Sequence, residues 1–113
     1  MSTSVQTRRL QRMFDTDSTI MLETLTRLLA PADPGRMSQS DLERAFRAAH
    51  SIKSEAGFLG VSAVADAAHR VEDTLSGVRK GGGEVDESTA SELKRGVRTL
   101  DEALAAYRAS RSD

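Results

Sequence analysis

Two short strings carry the residues that could do chemistry: Ala49-His50-Ser51-Ile52-Lys53-Ser54-Glu55-Ala56-Gly57 and, nineteen positions after His50, His69-Arg70-Val71-Glu72. They hold both histidines of a 113-residue chain that has no cysteine. A neutral imidazole is a good nucleophile near neutral pH when one ring nitrogen is free and the other holds the proton. A carboxylate that accepts the second N–H fixes that tautomer and stabilises the charge that develops as the free nitrogen attacks phosphorus. Lys53 lies one helical turn beyond His50, where an ammonium can neutralise phosphoryl oxygens.

On a helix, Glu43, Phe46, Arg47, Lys53, Ser54 and Gly57 share a face with His50, while Ala45, Ala49 and Ala56 form an inward stripe beside it. His50 is therefore expected on the flank of a helical assembly, open to partners. His69 and Glu72 stand at i, i+3 beside the buried stripe of the next helix. A helix-surface His flanked by Lys is, however, usually only a solvated face, and His69 taken singly reads as a boundary residue paired with Asp73 or Glu72. Periodicity alone does not decide between these readings.

The elements that must position these residues are legible as four apolar stripes at helical spacing: Leu10, Phe14, Met21, Leu25 and Leu28; Leu42, Ala45, Phe46, Ala49 and Ala56; Val64, Ala68, Val71, Leu75 and Val78; Leu93, Val97, Leu100, Leu104 and Tyr107. No segment alternates with period two, so strands are not expected. Pro31 and Pro34-Gly35 stop the first helix. Ser38 or Ser40 can cap the second, Ser62 the third and Asp86 the fourth. Gly57 and Gly60 bracket a short connection, and Gly81-Gly82-Gly83 reads as the third loop.

The expectation is a single all-α domain over 1–113, an antiparallel up-down-up-down four-helix bundle with helices near 5–30, 38–57, 62–80 and 86–108. Ser110 to Asp113 reads as a frayed end or cut linker. His50 lies seven residues before Gly57 and His69 seven after Ser62, so an antiparallel pair brings them to one height. This register makes Glu72 the acceptor for His50, with His69 nearby.

Composition narrows the function. Sixteen basic and seventeen acidic residues leave a formal net charge of −1, so no strong field draws the chain to nucleic acid or an anionic membrane. With one Tyr and no Trp, a base-stacking platform is equally unexpected. No run approaches the ~20 apolar residues of a membrane span, and the opening residues lack the apolar core of a signal peptide. The chain reads as cytoplasmic.

The string Ala45-Phe46-Arg47-Ala48-Ala49-His50-Ser51-Ile52-Lys53-Ser54-Glu55-Ala56-Gly57-Phe58-Leu59-Gly60 closely resembles the histidine-containing phosphotransfer (HPt) domain at the N-terminus of chemotaxis histidine kinases of the CheA type. That family's pattern is roughly A-A-H-S-I-K-G-G-A-G-x-x-G followed by a helix bearing H-x-x-E. The resemblance spans essentially the whole chain. It implies that His50 accepts phosphate on Nε2 from an ATP-bearing kinase catalytic domain, in the same polypeptide or another. Glu72 would bind the other ring nitrogen, Lys53 and His69 would complete the polar network, and the phosphoryl group would pass to an aspartate of a CheY-like or CheB-like receiver. No cofactor is expected in this chain: ATP and Mg belong to the kinase domain, and Mg again to the receiver.

Two positions depart from the family, whose paired glycines are Ser54 and Glu55 here. With Arg47, Gly57 and Phe58 they are candidate partner-binding residues. A fifth helix, frequent in the family, is not visible before Asp113, so the chain reads as the N-terminal portion of a larger kinase, with a stand-alone phosphorelay protein as the alternative. The phosphoacceptor helix pair of an ordinary sensor kinase would instead place an acidic residue directly after the His. A carboxylate-bridged metal bundle needs two Glu-x-x-His motifs, and a plain helical adaptor would leave the constellation around His50 without an account. As an enzyme the chain is incomplete, since it has no Gly-rich nucleotide loop.

Overall fold

The computed structural model describes the backbone of residues 2–31 and 34–111, with side chains from Val5 onward within those ranges. Four helices carry the fold: α1 (Ser2–Leu29), α2 (Gln39–Phe58), α3 (Ser62–Lys80) and α4 (Glu87–Ser110). α1 packs on α2 and α4, and α3 packs on α2 and α4, while among the described residues the backbones of the diagonal pairs stay further apart. The result is a four-cornered bundle.

The third and fourth stripes sit as their spacing predicts, with Val64, Ala68, Val71, Leu75 and Val78 buried in α3 and Leu93, Val97, Leu100 and Leu104 in α4. Tyr107 is half-buried, its ring edge-on to that of Phe14 at 5.9 Å. In α2, Phe46 is only half-buried and Ala48 and Ile52 join the core. A helix wedged against two neighbours buries a wider face than one row of residues.

α1 departs more. Leu10 is 37% exposed, and Leu29 rather than Leu28 is fully buried. α2 ends at Phe58, so no further turn covers Leu10, which lies in the wall of a groove between the two helices. Ser18 occupies a fully buried place in the row. Arg108 of α4 compensates by donating to the Ser18 hydroxyl at 2.9 Å, the Thr19 hydroxyl at 2.9 Å and the Asp15 carbonyl at 3.2 Å. Arg111 donates to both Asp15 carboxylate oxygens at 2.6 and 2.7 Å. The α1–α4 seam is thus closed at this end by charge-assisted hydrogen bonds beside the Phe14–Tyr107 ring contact.

The caps divide. The Ser38 hydroxyl accepts from the Asp41 amide at 3.1 Å and the Asp86 carboxylate from the Thr89 amide at 2.8 Å. Ser62, expected to cap α3, is instead its first helical residue; Val61 stands at the cap without a side-chain bond. The turn is held by its backbone, with the Val61 amide donating to the Ala56 carbonyl at 2.8 Å while Gly60 takes φ +75. Gly57 belongs to α2 and does not bracket the turn.

The expectation of no strand also needs correction. Gly35–Arg36 (β1) and Glu84–Val85 (β2) form an antiparallel pair, extended by the Met37 amide donating to the Gly83 carbonyl at 2.8 Å. Two residues are too few for alternation to register in a sequence. The pair ties the α1–α2 loop to the α3–α4 loop. Gly83 is indispensable there: its φ is +94, and an added Cβ would lie 2.9 Å from the Met37 carbonyl oxygen. Gly83→Ala is expected to lower stability by about 1–3 kcal/mol, read as a drop in the thermal unfolding midpoint; an unchanged midpoint would show that the ladder yields freely.

Candidate phosphoryl-carrier site

The α2–α3 pair builds the site. His50 projects from the flank of α2 with 55% of its side chain exposed, and its Nδ1 lies 2.5 Å from Glu72 Oε2. Glu72 comes from α3, between the core residue Val71 and the surface, and its carboxylate is buried, with 8% of the side chain exposed. Its other oxygen, Oε1, accepts from Lys53 Nζ at 2.5 Å. One carboxylate therefore bridges the imidazole and the ammonium.

Charge follows from this geometry. Burial pushes the Glu72 pKa up, but the hydrogen bonds from Lys53 and His50 outweigh it and hold the carboxyl below its ordinary value. Glu72 is then an anion that can only accept, so the proton of a neutral His50 must sit on Nδ1. Nε2 is left with its lone pair on the opposite edge of the ring. The imidazole is further aligned by Phe46, one turn earlier on α2, whose ring lies 7° from parallel with centroids 6.3 Å apart. Over Phe46, in turn, sits the Arg79 guanidinium, 4.2 Å from the ring centroid.

His69 does not join this network. Its Nε2 lies 3.1 Å from Asp73 Oδ2, one turn on along α3, and both side chains are more than half exposed. The reason is azimuth. At about 3.6 residues per turn, three residues carry His69 roughly 60° further from the Val71–Leu75 stripe than Glu72, past the edge of the helix interface.

The candidate partner-binding residues separate into two places. Ser54, Glu55 and Phe58 line a groove of about 330 Å³ with Leu10, Met13, Phe14 and Asp17 of α1. Phe58 is 77% exposed and Met13 54%. Burial, with the neighbouring Asp17 carboxylate, pushes the Glu55 pKa up. Arg47 lies elsewhere on α2, in a shallow depression with Glu43 and Arg44. Gly57 is exposed, and an added Cβ there would meet no other atom. The α1 half of the groove and Arg79 are the parts that sequence reasoning misses: neither lies near α2 in the chain, and only helix packing brings them against its residues.

Among the described residues, no group of three or more His, Cys, Asp and Glu side chains is placed to hold a metal ion. Nor is any helix long and apolar enough to cross a membrane.

Comparison with known proteins gives two findings. A family model described as the Hpt domain matches residues 9–109. Over 73 residues the chain is 32% identical to the chemotaxis protein CheA of Halobacterium salinarum, a match that covers 65% of this chain and 11% of that protein.

Proposed function

Since the chain belongs to the Hpt domain family, we propose that His50 is its phosphoryl carrier, working in a chemotaxis-type two-component system. The observation that carries this reading is the Nδ1–Glu72 hydrogen bond on a side chain that is more than half exposed. His50 Nε2 attacks the terminal phosphorus of ATP held by a histidine kinase catalytic domain, the bond from that phosphorus to the ADP oxygen breaks, and ADP departs. The ring becomes cationic, and Glu72 stabilises it through the Nδ1–H bond without removing the proton. In the second transfer a receiver aspartate attacks the phosphorus, the P–N bond breaks, and the neutral imidazole returns with its proton on Nδ1.

The resemblance to CheA-type kinases supports a place as the N-terminal domain of a larger kinase working in the cytoplasm, and a match that covers only 11% of the Halobacterium salinarum CheA agrees with one domain of a longer protein. ATP and Mg would then be held by the kinase domain, and Mg again by a CheY-like or CheB-like receiver. The first test is incubation with a CheA-type kinase domain and labelled ATP. The label is expected to be acid-labile, as a phosphorus–nitrogen bond is, and to map to the peptide holding His50. Acid-stable label, or label on another residue, would overturn the reading.

The α1–α2 groove, close to His50 along α2, is the proposed receiver platform. Ser54 adds bulk and Glu55 adds an acid that Asp17 reinforces, so both should disfavour receivers adapted to a glycine pair; specificity comes from such repulsive elements as much as from attraction. Ser54→Gly combined with Glu55→Gly is expected to widen the set of receivers that take phosphate from His50, at up to ~1 kcal/mol of stability for each glycine placed in α2. The measurement is transfer rate across a receiver panel. An unchanged ranking and spread would move the source of selectivity elsewhere.

A further inference from the structure

Lys53 is a committed cation. Its ammonium is 2.5 Å from Glu72 Oε1 while Glu72 Oε2 binds the nucleophile, so drawing Lys53 toward a phosphoryl group would loosen the carboxylate that orients His50. A phosphoryl group brings close to two negative charges at neutral pH. It calls for a second cation that is near and not already paired.

Arg79, in the last turn of α3, meets that description. Its guanidinium rests on the Phe46 ring, 4.2 Å from the centroid, and Phe46 lies parallel to the His50 imidazole. Among the described residues no carboxylate pairs with it; the ring is its partner. A cation–π perch at a half-exposed ring is weak. A planar fork onto phosphoryl oxygens is a stronger contact, with two parallel charge-assisted hydrogen bonds.

We propose that Arg79 is the second cation of the phosphoryl site, parked on Phe46 while His50 is free and forked onto the phosphoryl oxygens once Nε2 carries them. The perch holds the guanidinium on a ring that itself lies parallel to the imidazole, without competing for Glu72. This leaves Lys53 to hold the carboxylate and Arg79 to meet the incoming charge. The inference rests on His50 being the phosphorylated residue.

The test uses phosphoramidate, a small donor that needs no docked partner, on the wild-type chain, Arg79→Gln and Arg79→Lys. Arg79→Gln is expected to slow acceptance about 10- to 100-fold, the loss of the charge-assisted fork, and Arg79→Lys to recover part of it. Phosphorus NMR supplies the readout that a structural role would not move: a bound guanidinium favours the dianion, so Arg79→Gln should shift the second ionisation of the phosphoryl group to higher pH. A midpoint identical in wild type and Arg79→Gln would overturn the assignment, with phosphorylation at His50 still standing. Wild-type protein that takes no label at His50 would overturn the carrier reading itself, and this inference with it.

Discussion

His50→Gln is expected to take no phosphoryl label above background from a kinase domain and ATP. The glutamine amide nitrogen has its lone pair delocalised into the carbonyl and is no nucleophile, yet its N–H can still reach the Glu72 carboxylate, so the bundle should hold. His69 offers no bypass. Its ring is paired with the exposed Asp73 rather than with a buried, charged carboxylate, and nothing fixes its tautomer with a nitrogen free at the α2 flank. His69→Gln serves as the companion measurement and should retain acceptance within about 2-fold of wild type, as surface changes outside a site usually do. Label kept near the wild-type level in His50→Gln would remove His50 from the mechanism.

That contrast between two histidines shows what a sequence carries and what it does not. Counting residues from the α2–α3 turn gives height along a helix pair, and by height both His69 and Glu72 qualify as partners of His50. Direction round the helix separates them. Glu72 sits at the edge of the Val71–Leu75 stripe and is turned into the interface, whereas His69 is turned past it. The lysine bridge follows from local spacing, because Lys53 and His50 share a face of α2 and one carboxylate has two oxygens to offer.

The helices themselves were the more legible part, since each buried stripe is periodic within its own segment and each break is marked by Pro or Gly. The misses arise where a residue's surroundings come from another element. Ser18 lies in the core row of α1 because Arg108 arrives from α4, ninety residues on. Leu10 is left uncovered because α2 stops at Phe58. The β1–β2 pair exists because two loops meet at one end of the bundle. The α1–α2 groove and the Arg79 perch belong to the same class: each needs two helices to exist.

Glu72→Ala is expected to slow phosphoryl acceptance by about 10- to 100-fold, by analogy with the loss of the partners that orient metal-bound histidines. Without the carboxylate, the Nδ1 proton has no fixed acceptor, the tautomer with Nε2 protonated becomes populated, and the charge developing on the ring loses its counter-ion. Lys53 also loses its partner, at a cost of about 1–3 kcal/mol. Glu72→Gln should fall between, because an amide offers one accepting oxygen where the carboxylate serves both His50 and Lys53. The same group sets an acid limit on the fold. Its folded-state pKa lies below the ordinary 4.5, so its contribution is present above that value and is lost as pH falls through the depressed one. Wild type should therefore lose stability more steeply than Glu72→Gln below about pH 4.5. Two measurements check this, the acceptance rate from phosphoramidate and circular dichroism melts across the acid range. A variant with wild-type rate and an intact fold would show that His50 is oriented without Glu72, and equal acid slopes would show that the carboxylate is not the charged acceptor its two short contacts describe.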